Sequence, residues 1–339
     1  MTIHLVQIGN GSSRRVAIVE EPYLRCLTEA ESIYELAGRC LHGEDKLSEL
    51  VLALAHGEIL DYDAVYAGIS EWHLLAPIDV PGKPSRMLIT GTGLTHLGSA
   101  KHRQAMHVKD SPKPAEAVTD SMRMFRWGLE GGRPVEGKIG IAPEWFYKGN
   151  GTMLRRPFEP LTVPAYAEDG GEEAEVAGIY IIGEDGAPYR IGMAAGNEFS
   201  DHQFEKLNYL NLAGSKLRTC SLGPELVIDA EFGAVTGQVK IQRGAETIWS
   251  KTIETGEANM CHSLQNLEHH HFKFEGHRRP GDVHVHFFGA HSLSFGDGVA
   301  LRDRDWMEVR FEGFGRPLRN SIQVETKDSD RLIQVRSLA

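Results

Sequence analysis

The chain is poor in cysteine and carries its four thiols, Cys26, Cys40, Cys220 and Cys261, without a C-x-x-C pair. That scatter argues against a disulfide framework, a zinc finger or a thioredoxin-type centre, and reduced cytoplasmic thiols are expected. No run of about eighteen apolar residues occurs, so no membrane-spanning helix is expected. Met1–Val6 lacks a basic start and a long apolar stretch, which does not fit a secretory signal. Basic residues are in deficit: 36 Lys and Arg against 47 Asp and Glu leave a formal charge of −11. A nucleic-acid partner would need a basic stripe, and an anionic substrate would need a metal or a few placed cations. Internal repeats, low-complexity tracts and a G-x-S-x-G elbow are all missing, so Ser99 and Ser200 do not read as serine-hydrolase nucleophiles. Gly91-Thr92-Gly93 lacks the third glycine of a nucleotide loop.

What is present suits one large or two unequal domains, because 339 residues with 41% hydrophobic content can bury a core unaided. Residues 3–8 and 15–19 read as strands around a polar turn. Thr28-Glu29-Ala30-Glu31 fits a capping box ahead of Ile33, Leu36 and Ala37, and Leu47 to Ala55 repeats the helical spacing. The breaker-rich segment 76–84 reads as a linker after a small α/β domain over residues 1–80. Residues 86–339 are glycine-rich and strand-rich, with strands expected at Arg86–Thr90, Lys138–Ala142, Val176–Ile182, Tyr189–Ala194, Glu225–Ala230, Val239–Arg243, Val283–Phe288 and Trp306–Phe311. Helices are expected to be few there. The best is Asp201–Leu210, with Ser200 as its N-cap and Gln203 completing the box. The fold class is α+β: the small N-terminal domain plus a mixed, mainly β catalytic domain.

The stretch from Glu172 to Ile182 is the most informative. Residues two apart on a strand share a face, so Glu173 and Glu175 point the same way. Asp185-Gly186 between two apolar runs signals a hairpin. Regular pairing about that turn sets Glu173 opposite Glu198, about 4.5–5.5 Å away at Cβ. Three carboxylates so placed repel one another unless a divalent cation binds, and oxygen ligands favour Mg²⁺, Mn²⁺ or Ca²⁺. The alternative is a solvated acidic edge. The sixteen histidines, including His269–His271, His284, His286 and His291, read as satisfied polar or surface residues rather than ligands.

E-x-E into an apolar strand, followed by Asn197-Glu198-Phe199-Ser200-Asp201-His202-Gln203, resembles the fumarylacetoacetate hydrolase superfamily. There an Asn-Asp-x-Ser segment supplies the third acid; here Glu198 replaces the Asp. Pro143-Glu144-Trp145-Phe146-Tyr147-Lys148, Ser215-Lys216 with Leu222-Gly223-Pro224, Pro280-Gly281-Asp282-Val283 and Gly313-Phe314-Gly315-Arg316-Pro317-Leu318-Arg319-Asn320 follow the family order over roughly residues 86–320. The resemblance implies Glu173, Glu175 and Glu198 as metal ligands and Mg²⁺ (or Mn²⁺ or Ca²⁺) as cofactor. It implies catalytic roles for Lys148, Lys216, Ser99 and His102, with Thr95, His96, Phe146 and Lys148 binding substrate. A homodimer or larger homo-oligomer is the implied assembly, and the composition points to a cytoplasmic protein without nucleic-acid or membrane partners.

Ser99 and His102 stand where the family's hydrolases carry the His and Glu that activate water. That departure, with Gly91-Thr92-Gly93-Leu94-Thr95-His96, resembles the branch that handles 2-keto-3-deoxy sugar acids. The implied reaction is dehydration of a 2-keto-3-deoxypentonate through a metal-stabilised enolate. Hydrolysis of a C–C bond in an acylpyruvate-like diketo acid is the runner-up, and non-catalytic sugar-acid binding the third reading.

Overall fold

The computed structural model describes residues 2–43, 46–108 and 119–338. Along the chain the strands are β1 (Ile3–Asn10), β2 (Ser13–Glu20), β3 (Tyr23–Cys26), β4 (Ile59–Asp61), β5 (His73–Leu74), β6 (Met87–Gly93), β7 (Glu144–Asn150), β8 (Leu154–Arg155), β9 (Leu161–Val163), β10 (Ala174–Ile182), β11 (Pro188–Asn197), β12 (Cys220–Leu222), β13 (Leu226–Ile228), β14 (Val235–Arg243), β15 (Glu246–Thr255), β16 (Val283–Phe287), β17 (Trp306–Phe311) and β18 (Leu318–Val324). The helices are α1 (Ile33–His42), α2 (Leu47–Leu54), α3 (Tyr62–Tyr66), α4 (Leu97–Val108), α5 (Asp120–Gly131), α6 (His202–Leu207), α7 (Leu212–Ser215) and α8 (Leu264–Phe272).

Among the described residues 13 strands form one long sheet, ordered β4-β3-β2-β1-β13-β11-β10-β16-β6-β7 with β5, β8 and β12 off that path, and β15-β14-β17-β18-β9 form a second. The pairing is mostly antiparallel; β16–β6, β12–β8 and β18–β9 are parallel. The architecture is the expected α+β, mainly β. Residues from both sides of position 80 share a sheet and a core: Leu5 pairs with Leu226, and Ile33, Leu36 and Val51 of α1 and α2 pack with Ile89, Ile179 and Val285. Ile78 and Val80, in the breaker-rich segment, are buried in that same cluster. On the opposite face Val176, Met193 and Val227 meet Val239, Val309 and Phe311 of the second sheet. The long sheet is therefore covered on both faces, which explains why every residue of β10 is buried.

Several local expectations are corrected. Helix α1 is capped not from Thr28 but by Ser32, whose hydroxyl accepts from Glu35 N; Thr28 instead donates to the Leu54 carbonyl. Lys138–Ala142 is no strand. Gly140 N donates to Asn266 and Ile141 N to the Gly131 carbonyl, so its backbone bonds go to a side chain and a helix end, not to a ladder. The helix expected at Asp201–Leu210 ends at Leu207, and its cap is Asp201, accepting from Phe204 N. Ser200 turns its hydroxyl to Glu198 instead. Helices are also more numerous than expected, since α4, α5 and α8 all lie after residue 86.

Candidate metal centre

The antiparallel pair β10–β11 sets the site. Its turn is one residue longer than Asp-Gly alone implies: Gly183 N donates to the Ala187 carbonyl, and Ile182 pairs with Pro188. A bulge between Ile179 and Tyr180 then restores the register, so Glu175 faces Gly196 and Ala174 faces Asn197. Beyond the ladder Glu198 N donates to the Glu173 carbonyl at 2.8 Å. The strand parity that carries Glu173 and Glu175 continues into Ala177 and Ile179, in the core under α1 and α2.

Carboxylate oxygens of Glu173, Glu175 and Glu198 lie within 4.8 Å of one another, and all three residues are buried. Two lysines close on them. Lys148, on β7, places Nζ 2.6 Å from Glu198 Oε1 and donates to the Phe199 and Lys216 carbonyls. Lys216, just after α7, donates to Glu173 Oε1 at 2.5 Å and Glu198 Oε2 at 2.7 Å. Its ammonium also sits 4.6 Å from the centre of the Phe146 ring. Glu175 takes one main-chain donor, Gly289 N at 2.7 Å.

The electrostatics follow from burial and neighbours. Burial, then the charges on Glu198 and Glu173, push the Glu175 carboxyl well above the ordinary range. Burial opposes ionisation of Glu173 too, but Lys216 and His202 outweigh it and hold that group well below. Burial also raises Glu198, against the pull of Lys148 and Lys216. A buried trio of hard oxygens, one of them driven toward its neutral form by the other two, fits a small divalent cation of the Mg²⁺, Mn²⁺ or Ca²⁺ kind.

The other expected site residues fall elsewhere. Thr95 donates to the Phe288 carbonyl at 2.8 Å and meets His96 Nδ1 at 2.9 Å. His96 Nε2 contacts Thr255 Oγ1 at 3.1 Å, so both side chains are spent on internal bonds. Ser99 donates to the His96 carbonyl in the first turn of α4. His102 lies 3.7 Å from Asp297 and lines a cavity of about 560 Å³ with Asp169, Gln203 and Phe295. The Phe295 ring packs on His202, and His202 Nε2 reaches Glu173 Oε1 at 3.0 Å, so this cavity approaches the carboxylates from the His202 side. A larger cavity, about 780 Å³ between the α1–α2 region and β11, contains none of the three acids.

Sequence reading missed three contributors. His202 comes two residues after the Ser of the Asn-Glu-x-Ser segment and buttresses Glu173. Glu172, beside the E-x-E, accepts from Ser294 N and Oγ, fixing the loop after β16. Arg103 on α4 bridges Glu144 and Glu205 in the buried layer next to Lys216. Only His202 and Glu172 had a local signal, their adjacency to the motif.

Two buried histidines away from the acids give a stability prediction. Burial pushes His96 down to about 3 and His262 to about 4. The unfolded chain takes up those protons near pH 6.5, so below that pH it binds more protons than the folded protein. Stability is complete above pH 6.5 and falls toward pH 4, by up to about 1.4 kcal/mol per pH unit for each group. Denaturant unfolding at pH 7, 6 and 5 reads the slope. His96→Gln flattens it, and an unchanged slope in that variant rejects the assignment.

No protein-family model matches the chain, and no curated protein sequence matches it. Solved structures do. A 2-keto-3-deoxy-D-arabinonate dehydratase complexed with magnesium and 2,5-dioxopentanoate aligns over 96% of this chain and 100% of its own, at a TM-score of 0.68 and 17% identity. Fumarylacetoacetate hydrolase from the psychrophilic Exiguobacterium antarcticum aligns over 95% and 100%, at 0.59 and 17%. A 2-hydroxyhepta-2,4-diene-1,7-dioate isomerase from Mycobacterium marinum aligns over 95% and 99%, at 0.57 and 16%. The fold expected from the motifs is thus the fold found, that of fumarylacetoacetate hydrolase-type enzymes. No helix among the described residues is long and apolar enough to cross a membrane.

Proposed function

We propose that the protein is a divalent-metal-dependent enzyme acting on a 2-oxo acid, and that its reaction is dehydration of a 2-keto-3-deoxy sugar acid, a pentonate. The observation that carries this reading is the buried trio Glu173, Glu175 and Glu198 with Lys148 and Lys216 against it. The fold it shares with a dehydratase complexed with magnesium and 2,5-dioxopentanoate supports the substrate class.

Glu173, Glu175 and Glu198 hold the cation, which when bound supplies Lewis acidity to the carbonyl of the substrate. Everything else falls to the chain. Lys148 and Lys216 place two positive charges beside the acids in a protein of net charge −11, which is the local help an anionic substrate needs. With Glu173 and Glu198 against it, Lys216 is a hydrogen-bond donor in this arrangement. Ser99 is committed to the His96 carbonyl, whereas His102 lines the 560 Å³ cavity with Nε2 3.7 Å from Asp297 and Nδ1 buried without a partner. Of that pair, His102 is the one positioned to exchange a proton with a bound sugar acid.

Incubation with Mg²⁺ and 2-keto-3-deoxypentonates of both C4 configurations, or with diketo acids, decides the reaction by product mass. Loss of one water is expected. Cleavage of a diketo acid into pyruvate and a second acid replaces dehydration by C–C hydrolysis. Tight 2-oxo acid binding without turnover across the panel makes the protein a binder.

A further inference from the structure

The histidines expected to be ordinary polar residues are not all so. His271 at the end of α8, His277 in the 3₁₀ turn Glu275–His277 and His284 on β16 each bring one ring nitrogen within 4.8 Å of the other two. His271 and His284 are buried; His277 is partly exposed and gives the cluster an edge to solvent. His286 stacks on His271 with ring centres 4.4 Å apart. Two ring nitrogens here, Nε2 of His284 and of His286, are buried without a hydrogen-bond partner.

We propose that His271, His277 and His284 form a second metal site that takes zinc, or a similar transition cation, and is independent of the carboxylate centre. Three imidazoles are a nitrogen set that suits Zn²⁺ and not Mg²⁺. Burial keeps the His271 and His284 rings neutral, which is the ligating form. His277 Nδ1 donates to the His271 carbonyl at 2.7 Å, which leaves its Nε2 as the free lone pair and fixes the ring, the usual support of a ligating histidine. His271 Nε2 and His284 Nδ1 are 2.9 Å apart. Nitrogens on one tetrahedral zinc stand about 3.3 Å apart, so binding opens that pair by only a few tenths of an ångström. The open edge at His277 leaves the fourth position to water. The site ties α8, the turn after it and β16 together, under the β7 strand that carries Lys148.

One consequence is spectroscopic. Trp145 Nε1 donates to His271 Nδ1 at 3.3 Å, so the His271 proton sits on Nε2 and points at His284. Coordination through Nε2 sends that proton to Nδ1, facing Thr90 Oγ1 at 3.5 Å, or to solvent. A proton on Nδ1 ends the Trp145 bond, and zinc bound at Nε2 alters the ring it stacks on in either case. Zinc binding therefore changes Trp145 fluorescence.

The test is equilibrium dialysis of the purified, Mg²⁺-saturated protein against Zn²⁺, with metal counted by mass spectrometry. Zinc is expected at one per chain in the unmodified protein and in Glu175→Gln, and at less than a tenth of that in His277→Ala. Zinc kept by His277→Ala but lost from Glu175→Gln assigns it to the carboxylates and overturns the proposal, as does no uptake at all. If His277→Ala does not fold, a fluorescence titration stands in. A zinc-dependent signal that disappears in Trp145→Phe supports the site, and a signal unchanged in Trp145→Phe overturns it. Neither outcome bears on the Mg²⁺-dependent reaction, so the two readings fail separately.

Discussion

Glu175→Gln is expected to lower turnover by at least about 10³-fold, equivalent to about 4 kcal/mol of lost transition-state stabilisation, without weakening the fold. The two halves of that outcome have different causes. Burial and the neighbouring charges of Glu198 and Glu173 already drive Glu175 toward its neutral form. Glutamine has the size of that neutral form, its amide oxygen still accepts from Gly289 N, and a repulsive charge is gone. The variant in EDTA should therefore melt no lower than the parent. What it loses is one of the three anionic ligands proposed for the metal. At 100 times its dissociation constant a ligand stabilises the folded state by about 2.7 kcal/mol. The parent should show a thermal shift of that order with Mg²⁺, and Glu175→Gln little or none. Full activity with an undiminished Mg²⁺ shift would remove Glu175 from the metal site. A collapse of the EDTA-form melting temperature would instead make it a structural residue.

The carboxylate trio was legible because strand parity is insensitive to what surrounds the strand. Glu173 and Glu175 share a face wherever β10 lies. The pairing with Glu198 was legible for a less secure reason. The three-residue turn shifts the ladder by one, and the bulge at Ile179 and Tyr180 shifts it back. Without that bulge Glu173 would face Asn197, and nothing in the apolar run announces it. Ser200 was misread as a cap because Ser and Asp are both good caps; the tertiary demand of Glu198 for a hydroxyl decided between them. Helix α4 was missed because its sequence, Leu97-Gly98-Ser99-Ala100-Lys101-His102-Arg103, shows little periodic contrast between apolar and polar positions. The histidine cluster was out of reach altogether. His271, His277 and His284 sit on three elements, and only the approach of α8 to β16 brings their rings together.

Helix α4 also carries the residue whose loss should cost most stability. Arg103 is buried, with NH1 2.6 Å from Glu144 Oε2 and Nε 2.8 Å from Glu205 Oε1. Tyr209 adds its hydroxyl to Glu144 at 3.1 Å. Removing the guanidinium leaves Glu144 with only the neutral Tyr209 hydroxyl and Glu205 with only the more distant charge of Lys216. Breaking a buried pair from one side typically costs about 3–5 kcal/mol, and here one cation serves two acids. Arg103→Met should therefore lower denaturant stability by about 3–5 kcal/mol. Lysine in its place should recover only part of that loss, because a point charge cannot span both carboxylates as the planar fork does. Arg103→Met with Glu144→Gln and Glu205→Gln should recover more, since no unpaired charge is then left behind. A single substitution costing no more than a surface ion pair, under about 1 kcal/mol, would show that Arg103 does not hold the two acids together. Because Glu144 begins β7 and Lys148 lies four residues on, the triple variant separates two roles. If stability returns and turnover does not, the Arg103–Glu144–Glu205 layer positions Lys148 and Lys216 as well as holding α4 to the sheet.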